Sequence, residues 1–310
     1  MAIVLNTFFI ALLCVILNTS NANLLDMLVS NAIAQAVLFF LVVCIPFWRT
    51  KRMSYVDIAW PFGVAIIGAH ILFMGEAEPL RNGVVGAVYL FIGLRMGIGA
   101  VTMAKATGVI FKYEFPRYKY RRTMLEEQGS KHVDAHMLGE AVAQGFANMT
   151  VLALPGFLIA NSALGGMSGW EIAGLALWAI AYLTESIADG QKMWFISKNP
   201  KGVCNIGLWK YSRHPNYFSE WLVWTGLVVA TVPSWLAHAA SEIPLIWIGQ
   251  GWSLVCLSYA VCHSGLPDRS QARGILFCAK AGGVPRISKD HQYVLPLVSK
   301  KSGLIRGFFA

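Results

Sequence analysis

The residues best suited to chemistry lie in Gly207-Leu-Trp-Lys-Tyr-Ser-Arg-His-Pro-Asn-Tyr-Phe-Ser-Glu-Trp221. Pro215 suits the first turn of a helix, where its missing N–H removes no bond. Counted from Arg213, Asn216, Tyr217 and Glu220 follow at i+3, i+4 and i+7, so the four share one helix face. A helix N-terminus flanked by Arg213 and His214 favours an anion, because free N–H groups and cationic side chains converge there. Glu220 falls about one turn inside an apolar segment, where an acid is expensive unless paired and so points to a functional site. Upstream, Glu185, Asp189 and Lys192 again fall at i, i+4 and i+7, with Gln191, Trp194, Phe195 and Lys198 around them. Interfacial Trp and snorkelling Lys at helix ends account for Trp194, Lys198, Lys210 and Trp221. They do not account for Glu185, Asp189, Asn216 and Glu220, which are expected to line a ligand site.

Two further charges fall within apolar segments: Asp57, in Ser54-Tyr-Val-Asp-Ile-Ala-Trp-Pro-Phe-Gly63, and Arg95. Either they pair with each other or with Glu220 to tie helices together, or they belong to the site. The run Lys105, Glu114, Arg117, Tyr118, Lys119, Arg121 and Arg122 is cationic and aromatic. It fits topology-setting charge and phosphate contact equally well. His70 and His238 read as packing or interfacial residues, and His263 could reach a ligand from the end of the last apolar segment. His132 and His136 have i, i+4 spacing but no acidic partner, so no metal site is expected. The six cysteines show no C-x-x-C spacing and read as small apolar residues. There is no G-x-G-x-x-G, G-x-x-x-x-G-K-[ST] or H-E-x-x-H, so Rossmann, P-loop and zincin chemistry are unsupported.

The elements that must position these residues are membrane spans. The chain is 56% hydrophobic and 13% charged, whereas about a quarter of the residues in a soluble domain are charged. Eight apolar stretches, near 2–17, 32–48, 57–75, 82–103, 141–164, 168–188, 216–239 and 242–263, approach the length needed to cross about 30 Å. The first reads as a helix rather than a cleaved signal peptide, since it lacks a basic leader and an A-x-A-like site. The segments 49–56, 104–140, 189–215 and 264–310 hold 23 of the 25 Lys and Arg. Only Arg81 lies in an opposite-side connection. The positive-inside rule then places both termini on the cytoplasmic side. The net charge of +9 is explained by this topology, not by nucleic acid as a partner. The expected fold is all-α: a polytopic membrane helix bundle of about seven to eight transmembrane helices, forming one integral membrane domain over 1–310. Within it, 54–263 is the core, 1–48 adds N-terminal helices and 264–310 is a basic tail.

The ordered set of motifs resembles the steroid 5α-reductase family, and especially its bacterial-type DUF1295 branch. The resemblance is carried by V-D-I-A-W-P-x-G (Val56 to Gly63), G-L-R (Gly93 to Arg95), P-R-Y (Pro116 to Tyr118), E-x-x-x-D-x-Q-K-x-x-F (Glu185 to Phe195) and G-L-W-x-Y-S-R-H-P-N-Y-F-x-E-x-x-x-W (Gly207 to Trp224). It implies a membrane bundle that takes NADPH from the cytoplasmic side and reduces a C=C bond conjugated to a carbonyl in a lipid-soluble substrate. By the same resemblance Asp189, Arg213, Asn216, Tyr217 and Glu220 contact NADPH, and Lys192, Phe195 and Lys198 lie beside it. His214 and Arg95 are added as candidates from the anion site and the buried charge. The family's acid is a Glu and Tyr pair. Asp57 is the counterpart of the Glu, and Tyr89 and Tyr55 are the candidates for the Tyr.

The segment after Cys262 departs from the family, reading His-Ser-Gly-Leu-Pro-Asp-Arg before a Gly-rich basic tail. Two other readings stay open. One is an S-adenosylmethionine-dependent isoprenylcysteine-type methyltransferase, which shares an R-H-P-x-Y segment but carries a pair of acids near its C-terminus. This tail has Asp268 and Asp290 and no such pair. The other is a non-catalytic subunit of a membrane complex that keeps the fold and binds membrane lipids.

Overall fold

The computed structural model describes residues 2–108, 110–199 and 202–264, and its regular elements are all helical. The basic tail, with Asp268, Asp290 and Cys278, and the side chain of His263 lie outside the described residues. Helix α1 spans Ala2–Ile16. Helix α2 (Ala22–Phe39) runs through a π-helical turn, Phe40–Cys44, into α3 (Ile45–Thr50). Then follow α4 (Val56–Met74), α5 (Pro79–Thr107), α6 (Pro116–Glu127), α7 (Val133–Met149), α8 (Ala153–Ala160), α9 (Gly169–Lys198), α10 (Pro215–His238) and α11 (Pro244–Ser264).

Among the described residues, six helical segments are long and apolar enough to cross a membrane: Ala22–Thr50, Val56–Met74, Pro79–Ala106, Val133–Ala160, Gly169–Lys198 and Pro215–His238. The shorter apolar helices Ala2–Ile16 and Pro244–Leu257 pack beside them. The eight expected stretches correspond to these eight segments, and the protein is a polytopic membrane helix bundle. Two starts differ from expectation. The second segment begins at 22, because Asn21 accepts a hydrogen bond from the Leu24 N–H and starts the helix there. Its polar residues Asn31 and Gln35 turn inward and are fully buried. The fifth segment begins at 133, because its polar first turns are held by ion pairs. Asp134 takes Arg122 and Lys51, and Glu140 takes Arg121.

Small residues set the closest helix crossings, as expected where lipid supplies no hydrophobic drive between helices. A Cβ on Gly226 would lie 2.7 Å from the Gly174 carbonyl oxygen, and one on Gly93 would lie 2.6 Å from the Pro61 carbonyl oxygen. These contacts bring α9 against α10 and α4 against α5. Helix α8 is buried along its whole length and fills the centre. Beside it an amide network ties α2, α4 and α7. Gln35 donates to the Gly63 carbonyl at 2.9 Å and to Asn31 at 3.0 Å, and Asn148 donates to the Trp60 carbonyl at 3.0 Å.

The face opposite the basic loops is closed by one cation. Arg81, fully buried, donates to Glu171 at 2.7 Å, to the Leu164 carbonyl at 2.7 Å and to the Gly166 carbonyl. Glu171 also completes a capping box with Ser168 at the start of α9. Arg81→Met leaves Glu171 buried without its counter-ion and is expected to destabilise the protein by about 3–5 kcal/mol. Arg81→Met combined with Glu171→Leu should recover part of that loss, as read from thermal midpoints in detergent.

Candidate functional site

At the basic end, the start of α4 is tied to the segment preceding α6. The Glu114 carboxylate accepts the Met53 N–H at 2.7 Å, the Ser54 N–H at 3.0 Å and the Ser54 hydroxyl, while Ser54 Oγ accepts the Phe115 N–H at 2.9 Å. An acid at a helix N-terminus satisfies free amides and complements the helix dipole. This lash sets Asp57, in the first turn of α4, against the first turn of α6. Arg117 and Tyr118 both donate to Asp57 Oδ1, the tyrosine at 3.0 Å. The Arg117 guanidinium also lies over the Tyr118 ring, 4.8 Å from its centroid. Arg121 and Arg122 anchor the rest of α6 to Glu140 and Asp134 on α7. The second carboxylate oxygen of Asp57 is buried and has no hydrogen-bond partner among the described residues. Burial first, and then the adjacent Asp57 charge, push the Tyr118 hydroxyl well above the usual tyrosine range. Tyr118 is therefore a proton-bearing donor at neutral pH.

The second half of the site lies between α9 and α10. Asn216 donates to Asp189 at 3.1 Å, while its own carbonyl oxygen is buried and has no hydrogen-bond partner among the described residues. The loop joining the two helices is pinned beneath them. Gln191 accepts the Leu208 N–H at 2.9 Å, and the Trp209 indole donates to the Ala188 carbonyl at 2.8 Å. Gly207 takes a positive φ of 51° against the Gln191 amide, a position that a Cβ would occupy. Lys192 lies 4.8 Å from the Trp209 ring centroid, and the His214 ring stacks on Tyr217 with centroids 5.2 Å apart. Burial, then Lys192 and Arg213, hold His214 below its ordinary pKa. The cationic character of this mouth therefore rests on Arg213 and Lys192, both exposed.

Arg95 reaches across from α5 and donates to the Tyr182 hydroxyl at 2.7 Å and to Ser186 at 3.1 Å. It faces Glu185 and Asp189 electrostatically, and Glu185 in turn feels Glu220. Arg117 acts on Glu220 from the other half, so the two halves share one cation.

Of the residues expected from the sequence, the structure gathers Arg95, Asp189, Lys192, Asn216 and Glu220, and places His214 and Tyr217 at their edge. Phe195 packs near Gly202, and Lys198 covers Trp194 at the outer end of α9. Of the two readings left open for Asp57 and Arg95, their pairing with each other is not what forms, since each has nearer partners in Arg117 and Tyr182. Tyr89 stands apart. It is fully buried, its hydroxyl donates to the Leu152 carbonyl at 2.9 Å, and it accepts the Gly156 N–H at 3.2 Å. Tyr55 bonds Arg52. The tyrosine on Asp57 is Tyr118, which the sequence showed as part of a cationic, aromatic run and of Pro116-Arg-Tyr118, with nothing to link it to Asp57. Among the described residues no group of three His, Cys, Asp or Glu could hold a metal ion.

Motif order and geometry can now be set beside known families. A family model described as "Protein of unknown function (DUF1295)" matches residues 45–267, which includes every side chain just described. The chain belongs to the DUF1295 family. No curated protein and no solved structure matches it. The matched range begins within α3, after α1 and α2, and includes both the Asp57 lash and the α9–α10 mouth of this DUF1295 protein.

The α9–α10 loop depends on its glycine. Gly207→Ala meets both a left-handed backbone and the Gln191 amide, and should cost about 1–2 kcal/mol. The check is thermal unfolding together with faster amide exchange across residues 206–212.

Proposed function

We propose that this protein is a membrane-embedded NADPH-dependent reductase that transfers a hydride to a C=C bond conjugated to a carbonyl in a lipid-soluble, steroid- or isoprenoid-like substrate. The observation that carries the proposal is one polar end with two unlike halves. On one side is an amide- and cation-lined mouth, and on the other a buried acid bearing a tyrosine hydroxyl. The resemblance of the motifs to the steroid 5α-reductases supports the same assignment.

The residues present suit the cofactor. Arg213 immediately precedes the first turn of α10, where phosphate groups find free N–H donors, and Lys192 near the far end of α9 adds positive charge beside His214. Asn216 keeps an unpartnered buried carbonyl oxygen suited to an amide donor. Arg213, His214, Lys192 and Lys198 would hold the phosphates, and Asn216, Asp189, Tyr217, Glu220, Arg95 and Phe195 would surround the remainder. When bound, NADPH supplies the hydride.

The chain's own part is to hold the enone and stabilise oxyanion charge as it develops. Hydrogen-bond donors fixed in a water-poor site do this without reorganising. Tyr118 and Asp57 form such a group, joined by a 3.0 Å hydrogen bond. In this reading Tyr118 takes the role for which Tyr89 and Tyr55 are the candidates by chain position.

Thermal stabilisation of the purified protein by NADPH, NADH and S-adenosylmethionine, measured in parallel, tests the proposal. NADPH should raise the midpoint, and Asn216→Ala and Glu220→Gln should abolish that rise while leaving expression intact. A rise with S-adenosylmethionine alone would establish a methyltransferase instead. No rise with any of the three would leave a non-catalytic membrane subunit.

A further inference from the structure

Arg117 is held differently from the other cations of the site. Its partner Asp57 lies on α4, yet it also acts on Glu220 and Tyr217 of α10. Its side chain is 61% exposed while that of Asp57 is 18% exposed. The cation is thus open to solvent and to an incoming anion, and the acid is not. Asp57 has few alternatives once Arg117 leaves. Tyr118 donates to the oxygen that Arg117 already occupies, the other oxygen is buried and unpartnered, and Glu114 is a like charge nearby. Among the described residues these are the charged and titratable groups facing Asp57.

We infer that Arg117 is a transferable counter-ion: in the free protein it holds Asp57 ionised, and when phosphate groups enter the α9–α10 mouth it turns to them, so that Asp57 takes up a proton from solvent. A buried carboxylate deprived of its cation protonates in preference to remaining charged. The balance is simple. One proton leaves bulk water, one Asp57 carboxylate becomes a carboxylic acid, and the Arg117 charge then neutralises phosphate. Cofactor binding thereby arms the acid, and an enone that arrives before the cofactor meets an ionised Asp57. Arg117 acts through Asp57 and is a positioning residue. The inference rests on the NADPH-binding reading above.

The test is calorimetric titration of the full-length protein with NADPH at pH 8 in two buffers of different ionisation enthalpy. At that pH the 2′-phosphate, with a second pKa of about 6, is already ionised and contributes no uptake. The parent should take up a proton on binding, approaching about one per site. Asp57→Asn should bind NADPH with no uptake. Arg117→Gln should also show none, because Asp57 is then protonated beforehand. Arg117→Lys, which retains a cation, should restore uptake, and Tyr118→Phe should leave it in place. Binding without proton uptake in the parent, or uptake that persists in Asp57→Asn, overturns the inference while leaving the cofactor assignment standing. Failure of NADPH to bind the parent overturns both.

Discussion

An ionised side chain within an apolar bundle must find its counter-charge inside the protein, because lipid offers neither water nor salt. That single requirement separates the two ends of this molecule. On the side opposite the basic loops, Arg81 and Glu171 satisfy each other, and three acceptors surround the guanidinium. At the basic end the account does not balance. Among the described residues, Asp57, Glu185, Asp189 and Glu220 face three cations, Arg95, Arg117 and the exposed Lys192 beside Asp189. A clamp is built to be complete, whereas a binding site has to retain groups that a ligand can satisfy.

The positions of those groups follow from packing farther in. The Gly174–Gly226 crossing lets α9 and α10 approach backbone to backbone, so Asp189 and Asn216 meet near their basic ends. The Pro61–Gly93 contact does the same for α4 and α5, bringing Asp57 and Arg95 to the same end without pairing them. The buried α8, which packs against α4, α5 and α10, fixes the distance between these two helix pairs. Helix α6 is held differently. It is attached mainly through Arg117, Arg121 and Arg122, and ion pairs near water are weaker and more easily exchanged than packed side chains. The part of the site that can move is therefore the part fixed by charge.

The sequence discloses these features unevenly. The apolar spans were legible, and the 23-to-2 division of cationic residues gave their expected sidedness, since hydropathy and charge bias are summed over many residues. The α9–α10 face was legible because helical spacing places Glu185 beside Asp189 and Asn216 beside Glu220 on contiguous turns. The Asp57 half was not. It brings together residues 54, 57, 114, 117 and 118, which lie on separate elements, and no periodicity connects them. The starts of α2 and α7 were missed for a related reason. Their polar residues look like loop in one dimension, and become helical only when Asn31, Gln35, Asp134 and Glu140 find partners on other helices.

The choice between tyrosines turns on the same physics. Tyr89 lies on a spanning helix, and its position along the chain made it the natural companion to Asp57. In the folded protein its hydroxyl both donates to and accepts from the backbone of α8, where Thr150–Leu152 interrupts the α7–α8 helix and frees a carbonyl. Removing that tyrosine would expose unpaired backbone groups in the core, so burial alone explains its presence. Tyr118 has no such structural duty. Its hydroxyl bonds the acid and interacts with Arg117 rather than with backbone, and its ring lies under the cation that the acid shares with the opposite half of the site. A hydroxyl already satisfied by backbone cannot turn toward a substrate oxygen without breaking the fold, whereas one held by a carboxylate can exchange that partner at little cost. Under the proposed reductase reading, the hydroxyl that meets the substrate therefore lies at the junction of α4 with α6 rather than in the centre of the bundle.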